Sequence, residues 1–561
     1  MEVDATFLEK ILVTSGLVSK EIFEEAKQES EAKKQDLINI LIEKELIGEE
    51  ELGKLIADEM GFPFVDLKKT RIDESLLKLI PEIVARRQKV ILFEKAPSGV
   101  KAAMAHPDNL ELKEFLERKT GEKIIPHFTF ESHIQFALRL YRKEITEEFE
   151  EICKTSIENL WKFNPSAFRN LPIAKITDFL IERAYENQAS DIHIEPYSYK
   201  TVIRYRIDGK LHDVLILPRA IHDFLVARIK ILAKLRIDEH DSAQDGHFSF
   251  DAPEEKIDIR VSVVPIENGE KAVLRLLARK TRRLGVKDLG ISEELIPKIK
   301  THLGKSWGLV LTVGPTGSGK TTTLYAFLQI LNKRELNIMT IEDPIEYDIE
   351  GVNQIQVNPK TNLTFAEGLR AILRQDPDII MVGEIRDQET ANLAVNAALT
   401  GHLVLSSFHA IDSSSAIIRL IDIGIEPFIV ASALELIIAQ RLVRKICPGC
   451  IESYEIKTEE LASTLGPKLS TWFSKKGKIL RFFKGKGCRL CQKSGYLGRT
   501  GIFEVLETGE KIKKLIMKGA NAREIREVAQ KEGMKTLIED GLEKAERGIT
   551  TLEEVLRAYR E

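Results

Sequence analysis

The sequence predicts an α/β protein built around a phosphate-binding loop, with a smaller α+β region and a helical region ahead of it. Three observations predict this. Gly314-Pro315-Thr316-Gly317-Ser318-Gly319-Lys320-Thr321 fits G-x-x-x-x-G-K-[ST] between a strand-like run and a helix-like run. From residue 307 onward apolar runs of strand length alternate with helix-period segments, the rhythm of a parallel sheet wrapped by helices. Later apolar runs end in carboxylates, as a nucleotide-hydrolysing sheet requires beside its phosphate loop.

Taken in order, the chain begins with helical pattern. Ile11-Leu12-Val13 before Gly16-Leu17-Val18 resembles Ile40-Leu41-Ile42 before Glu45-Leu46-Ile47, an internal helix-turn repeat. Gly61-Phe62-Pro63-Phe64-Val65-Asp66 breaks it and opens an α/β stretch to about residue 140, with strands expected at Lys89–Phe93 and Val100–Ala105. This gives a region 1–145. Residues 146–170 are charged and mixed around Asn164-Pro165-Ser166, and are expected to be a linker. A region 171–283 then holds a helix and alternating strands at Val202–Ile207, Ile257–Val264 and Ala272–Leu277. The last region, 284–561, carries the phosphate loop.

Composition narrows the classes. The chain has 561 residues, 43% of them hydrophobic, enough for several buried cores. A formal net charge of −4 gives no whole-chain drive toward nucleic acid. The acidic start does not read as a secretory signal, and no segment reaches the ~18–20 apolar residues of a membrane helix. Any membrane connection is therefore expected to run through a partner. Five cysteines in such a length do not make a disulfide scaffold; Cys153 reads as packing.

In the phosphate loop, residues Gly314 to Thr322 are the expected nucleotide contacts. Glycines let the backbone curl so that N–H groups face phosphate oxygens, Lys320 adds positive charge, and the Thr321 hydroxyl suits Mg²⁺. The apolar run Asp378–Val382 ends in Glu384, placed to support Mg²⁺. Ile338–Ile341 delivers Glu342, Asp343 and Glu346 to a turn containing Pro344, where hydrolysis needs one carboxylate to activate water. His402 and His409 bracket a further strand, as phosphate sensors or as structural histidines. Cys447-Pro448-Gly449-Cys450 and Cys488-Arg489-Leu490-Cys491 are two short pairs across a longer loop. They suit a structural Zn²⁺ in an insert at about 445–495, with free thiols as the other reading.

These blocks together resemble the secretion ATPase superfamily, specifically its type II secretion and type IV pilus assembly ATPases. GPTGSGKTTTLY is similar to its phosphate loop, TIEDPIEY to its Asp box, LRAILRQDPDIIMVGEIRD to its Walker B block and TGHLVLSSFH to its His box. The resemblance implies a RecA-like motor domain that binds ATP and Mg²⁺. It implies Glu346 as the water-activating carboxylate, Glu384 as support for Mg²⁺ or the water, and His402 and His409 as couplers of phosphate to domain motion. Ala189–Pro196, Arg206–Gly209, Gln244–His247, Asp258–Val261 and Gly269–Lys271 resemble the family's PAS-like middle domain. By that resemblance Arg204, Arg260 and Arg275 are candidate arginine fingers, with strand-face salt bridges as the alternative. Arg370 and Arg374 share a helix face and either reach a neighbouring nucleotide or pair with Glu367.

The cysteine module and the long N-terminal region resemble extension or secretion motors rather than retraction motors. The N-terminal region resembles a module that binds cyclic di-GMP in some relatives. Here Phe7-Leu8-Glu9 stands where those carry Arg-Leu-Gly, so docking to an inner-membrane platform protein is expected instead of dinucleotide sensing. The implied protein is a cytoplasmic homohexameric ATPase driving pilin polymerisation. A type II secretion ATPase, a DNA-uptake or conjugation motor, and a nucleotide-gated scaffold without turnover are the rival readings.

Overall fold

The computed structural model describes residues 4–33, 37–43, 46–141, 145–162, 168, 170–252, 255–277, 285–460 and 477–560. Asn164-Pro165-Ser166 lies outside them. The chain forms two units, residues 1–140 with 283–561, and residues 141–282. Among the described residues no helix is long and apolar enough to cross a membrane.

The N-terminal repeat folds as helices Ala5–Thr14, Lys20–Lys33, Leu37–Glu43 and Glu49–Met60. Leu8, Leu12, Phe23, Leu41, Leu52 and Ile56 meet in one core. The last of these helices ends on Gly61 at φ 76°, a conformation glycine takes without Cβ strain. Strands β1 (Val90–Ala96), β2 (Gly99–Met104) and β3 (Ile124–Phe128) follow, β1 antiparallel and β3 parallel to β2. Phe128 and Phe130 enter the helical core, so repeat and sheet share apolar packing.

In the second unit all strand pairs are antiparallel. They are β4 (Asp191–Pro196), β5 (Lys200–Ile207), β6 (Lys210–Pro218), β7 (Gln244–Asp251), β8 (Lys256–Ile266) and β9 (Gly269–Leu277), in the order β6-β5-β4-β9-β8-β7. Side chains alternate between faces. Ile192, Ile194, Ile203, Tyr205, Ile259 and Leu274 pack with Ile176, Leu180, Leu225 and Ile229 of the helices Ile173–Glu186 and His222–Leu232.

Part of the stretch expected to be a linker belongs to this core. Helices Ile145–Cys153 and Ile157–Leu160 bury Phe149, Cys153 and Leu160 in it, and Glu148 pairs with the buried Arg183 at 2.7 Å. Ile145, Phe149 and Ile152 share one helical stripe, which the surrounding glutamates conceal in composition.

The third sheet holds the phosphate loop. Its strands are β10 (Gly308–Val313), β11 (Ile338–Glu342), β12 (Val352–Gln356), β13 (Ile379–Val382), β14 (Leu403–Phe408) and β15 (Leu434–Ile446). The hairpin β16 (Ile451–Lys457) and β17 (Ile479–Gly485) intervenes before the returning strand β18 (Tyr496–Glu507). The order is β12-β11-β13-β14-β10-β15-β18; every pair is parallel except β15 with β18. β10, β11, β13 and β14 are buried at every residue, as strands covered by helices on both faces must be.

The hairpin is held by Leu480 and Phe482 packing on Ile538, Leu542 and Val555 of the helices Leu537–Glu546 and Leu552–Arg560. Glu554, 2% exposed, receives Arg444 from β15 at 2.8 Å and Arg557 at 2.9 Å. Burial pushes its carboxyl up, but the bonds from Arg444 and Arg557 outweigh burial and bring it down to about 2. The bonded carboxylate therefore stabilises the fold fully above its ordinary value of 4.5, and that contribution is lost as pH falls through about 2. Glu554→Ala should cost about 3 kcal/mol near neutral pH, because it leaves Arg444 buried without its acid. Thermal unfolding of the two proteins should converge in melting temperature between pH 4.5 and 2.

Candidate nucleotide site and cysteine cluster

The phosphate loop begins where β10 ends. A Cβ on Gly314 would stand 2.6 Å from the Gln440 carbonyl oxygen and from Ser318 Oγ, so no side chain fits. Gly319, at φ 89°, turns the chain into the helix Lys320–Leu331. The free N–H groups and positive dipole end of that helix therefore open onto the loop. Lys320, 9% exposed, donates to the carbonyls of Gly314 (3.0 Å) and Pro315 (3.1 Å). Burial lowers its pKa against the opposing pull of Glu384, and Arg441 lowers it further. The loop is thus electropositive and under-compensated, a site that gains from an arriving polyanion.

A brace from β15 holds the loop. Gln440 Nε2 donates to the Ser318 carbonyl at 2.8 Å, and its Oε1 accepts from the Thr323 hydroxyl at 2.8 Å. Arg441 donates to the Gln440 carbonyl (3.0 Å) and the Ile411 carbonyl (2.7 Å). Sequence reasoning did not give Gln440 a role. The available signal was a polar pair inside an otherwise apolar strand, which a buried strand tolerates only when its groups are bonded.

Because β10, β11, β13 and β14 are parallel, their carboxyl ends lie along one edge. Ile341 is level with Val382, Val382 with Ser406, and Phe408 with Val313. The residues that follow these strands therefore converge on the phosphate loop. Glu384 sits between Arg386 and His409, paired with the guanidinium and 3.4 Å from His409 Nε2. Arg386 also reaches Asp343 at 3.6 Å, tying the two acidic turns together. Ser407 Oγ donates to the Gly383 carbonyl at 2.7 Å and fixes the turn that presents Glu384.

The three carboxylates at and beyond the end of β11 differ. Glu342 is 2% exposed and fully engaged, accepting from the Tyr325 hydroxyl, from Thr340 Oγ1 at 2.6 Å and from Gln354 Nε2 at 3.0 Å. Asp343 and Glu346 are exposed, and the Glu346 N–H donates to Tyr325 Oη at 3.3 Å. Only an exposed carboxylate can meet water and phosphate.

His402 lies away from this edge. It precedes β14 whereas His409 follows it, so the two lie about 20 Å apart along the strand axis. The His402 carbonyl accepts from Gly308 at the start of β10, and its ring Nδ1 lies 3.0 Å from the Ala397 carbonyl. The family resemblance implies a coupling role for both histidines; the strand they bracket carries them to its opposite ends. Arg370 pairs with Glu367 and Glu389, and Arg374 is exposed.

In the second unit Arg204 pairs with Asp213 (3.0 Å) and Glu195 (3.5 Å), and Arg275 with Asp191 (3.0 Å). Arg260 stands in register between His247 and Arg275 and makes no ion pair among the described residues.

The Sγ atoms of Cys447, Cys450, Cys488 and Cys491 all lie within 4.8 Å of one another. Cys447–Cys488 and Cys488–Cys491 are 3.7 Å apart, and Cys450–Cys491 3.8 Å. A sulfur tetrahedron around zinc at the usual thiolate bond length has edges of about 3.8 Å. Backbone N–H groups of Gly487, Cys488 and Gly495 donate to Cys450 and Cys491 sulfurs at 3.1–3.3 Å, an arrangement that favours thiolate. The four sulfurs form a closed, metal-competent set.

Comparison with known proteins accords with this geometry. A family model described as Type II/IV secretion system protein matches residues 167–557, and one described as MshEN domain matches residues 60–148. The type IV pilus assembly ATPase PilB of Myxococcus xanthus is 37% identical over 98% of this chain and 98% of its own length. The type II secretion system ATPase E of Vibrio cholerae is 45% identical over 70% of this chain and 76% of its own. The solved ATPase DotB of Yersinia pseudotuberculosis superposes with a TM-score of 0.52 at 21% identity, covering 69% of this chain and 93% of that one. That likeness shows a shared α/β fold; the family match over 167–557, with the parallel sheet and phosphate loop, gives the region of the third sheet a RecA-like ATPase fold.

Gln440→Leu removes both brace bonds at nearly constant volume and should weaken binding of a nucleoside triphosphate about tenfold by calorimetry. His402→Ala should leave that affinity within about twofold.

Proposed function

The chain belongs to the Type II/IV secretion system protein family, and from that premise we propose that it is an ATPase motor of type IV pilus assembly, coupling ATP hydrolysis to pilin polymerisation. The observation that carries the reading is the convergence of the 314–321 loop, Glu384, His409 and the turn bearing Glu346 at one edge of a parallel sheet. The similarity to the Myxococcus pilus ATPase runs through the N-terminal region as well as the motor, which favours the pilus reading. Higher identity, 45% over 70% of this chain, to the Vibrio type II secretion ATPase supports a pseudopilus motor as the alternative.

The N–H groups of the loop and the Lys320 ammonium bind the β- and γ-phosphates of ATP, Lys320 exchanging its carbonyl partners for phosphate oxygens. Thr321 and Glu384 are the residues that would hold Mg²⁺, and their hydroxyl and carboxylate suit that hard cation. When bound, Mg²⁺ neutralises charge developing on the phosphates. Glu346 accepts the proton of the attacking water as the β–γ bridge breaks to give ADP and phosphate. His409, in contact with Glu384, is placed to sense loss of the γ-phosphate. His402 takes no part. Arg260 leads the finger candidates, since Arg204 and Arg275 must first leave their carboxylates.

The remaining assignments follow the family. Residues 1–145 are a docking module for an inner-membrane platform protein, a reading favoured over cyclic di-GMP sensing because Phe7-Leu8-Glu9 stands in place of Arg-Leu-Gly. Residues 171–283 are a PAS-like domain joined by the helical stretch ahead of them, and 284–561 are the motor. Cys447, Cys450, Cys488 and Cys491 hold a structural Zn²⁺ that cross-links the insert at about 445–495. Six copies form a cytoplasmic ring that reaches the membrane through its partners and binds no nucleic acid stably.

A steady-state assay tests the enzyme. Glu346→Gln should lower kcat at least about 100-fold while ATP binding persists, and unchanged turnover would sink the assignment. Elemental analysis should find one zinc per chain, lost with a fall in melting temperature in Cys488→Ser. A strain lacking the gene should lose surface pili and keep its secreted enzymes; the reverse outcome selects the type II reading.

A further inference from the structure

The water-activating turn lies on no regular element, yet its base must be held to a fraction of an ångström for hydrolysis to be fast. Tyr325 is the group that reaches it. The phenol is 1% exposed on the helix that begins with Lys320, its ring edge-on to Tyr347 at 4.6 Å between centroids. Its O–H donates to Glu342, and its oxygen accepts the Glu346 N–H at 3.3 Å; Gln354 Nε2, also 3.3 Å away, shares its two hydrogens among this oxygen, Glu342 and a backbone carbonyl. Gln354 also donates to the Tyr347 carbonyl at 3.1 Å, and its Oε1 accepts the Ile349 N–H at 2.8 Å. The phenol therefore both donates and accepts, its donor spent on Glu342 at the end of β11 and an acceptor position on the Glu346 N–H in the turn after it. Glu342 cannot release its bond cheaply, because its carboxylate is buried.

We propose that Tyr325 is a positioning residue for hydrolysis: it fixes the Glu346 backbone to the same helix whose first turn carries Lys320 and Thr321. The proposal rests on Glu346 being the base. The helix that binds phosphate at its N-terminus and the turn that supplies the base then move as one piece, so a shift of the helix on phosphate binding carries the carboxylate with it. No step of proton transfer passes through the phenol; burial and the neighbouring Glu342 raise its pKa and keep it protonated.

Tyr325→Phe in the full-length protein keeps the ring against Tyr347 and removes only the hydroxyl. The expected result is a fall in kcat of about 10- to 100-fold with KM for ATP within about twofold. In a Glu346→Gln background the same change should have no further effect, since a displaced base that is already gone costs nothing. Tyr325→Phe turning over at the parent rate, while Glu346→Gln is inactive, overturns this proposal and leaves Glu346 as base. An equal fold-loss from Tyr325→Phe in both backgrounds overturns it too, marking the hydroxyl as merely structural. Full turnover by Glu346→Gln overturns both readings together. Should Tyr325→Phe fail to fold, Gln354→Met, which removes one donor to the phenol, carries the same test: a smaller kcat loss at constant KM supports it, and an unchanged kcat overturns it.

Discussion

The parallel register of four buried strands is the constraint on which the rest of this protein depends. β10, β11, β13 and β14 run in one direction and are level at Leu311, Ile341, Val382 and Ser406. Whatever follows each strand must then emerge at the same edge. That is how the phosphate loop, Asp343, Glu346, Glu384 and His409 come together from segments far apart in sequence. The strands tolerate no polar side chain without a partner, because helices cover both faces; Ser406 and Ser407 accordingly donate to the carbonyls of Val382 and Gly383. These bonds lock β14 to the turn that carries Glu384.

Electrostatics at the edge are arranged as opposed halves. Lys320 and Arg441 concentrate positive charge in and behind the loop, and burial withholds the water that would screen it. Opposite stand Asp343 and Glu384, restrained by Arg386. A phosphate chain entering between them replaces water contacts on the cationic side and meets placed carboxylates on the other. Glu342 belongs to neither half. Its contacts with Tyr325, Thr340 and Gln354 make it part of the frame.

The C-terminal region solves a different problem. The hairpin β16–β17 is too small to build a core of its own, and it borrows one from the helices Leu537–Glu546 and Leu552–Arg560. Four sulfurs at tetrahedral spacing close its base where apolar burial is thin. Arg444, stacked 3.7 Å over Tyr496 and bonded to Glu554, joins β15 to the last helix from the other side.

The sequence by itself determined the chemistry of the loop and the order of the elements. Gly314 sits where a Cβ would collide, Gly319 takes a left-handed φ that favours glycine, Lys320 and Thr321 follow directly, and the period-2 and period-3.6 runs mark the strands and helices that flank them. The paired cysteines declared a tetrahedral set in the same local way. Tertiary structure alone decided which polar residues share a neighbourhood. It spent Glu342, the last residue of β11, on the frame and left Glu346, four residues on, exposed. It drew Phe149 and Cys153 into a core from a stretch whose charge suggested a tether, and it brought Gln440 to the phosphate loop across more than a hundred residues of chain. Local rules fix backbone shape and ligand type; pairing between distant segments depends on register and packing, which no window of sequence contains.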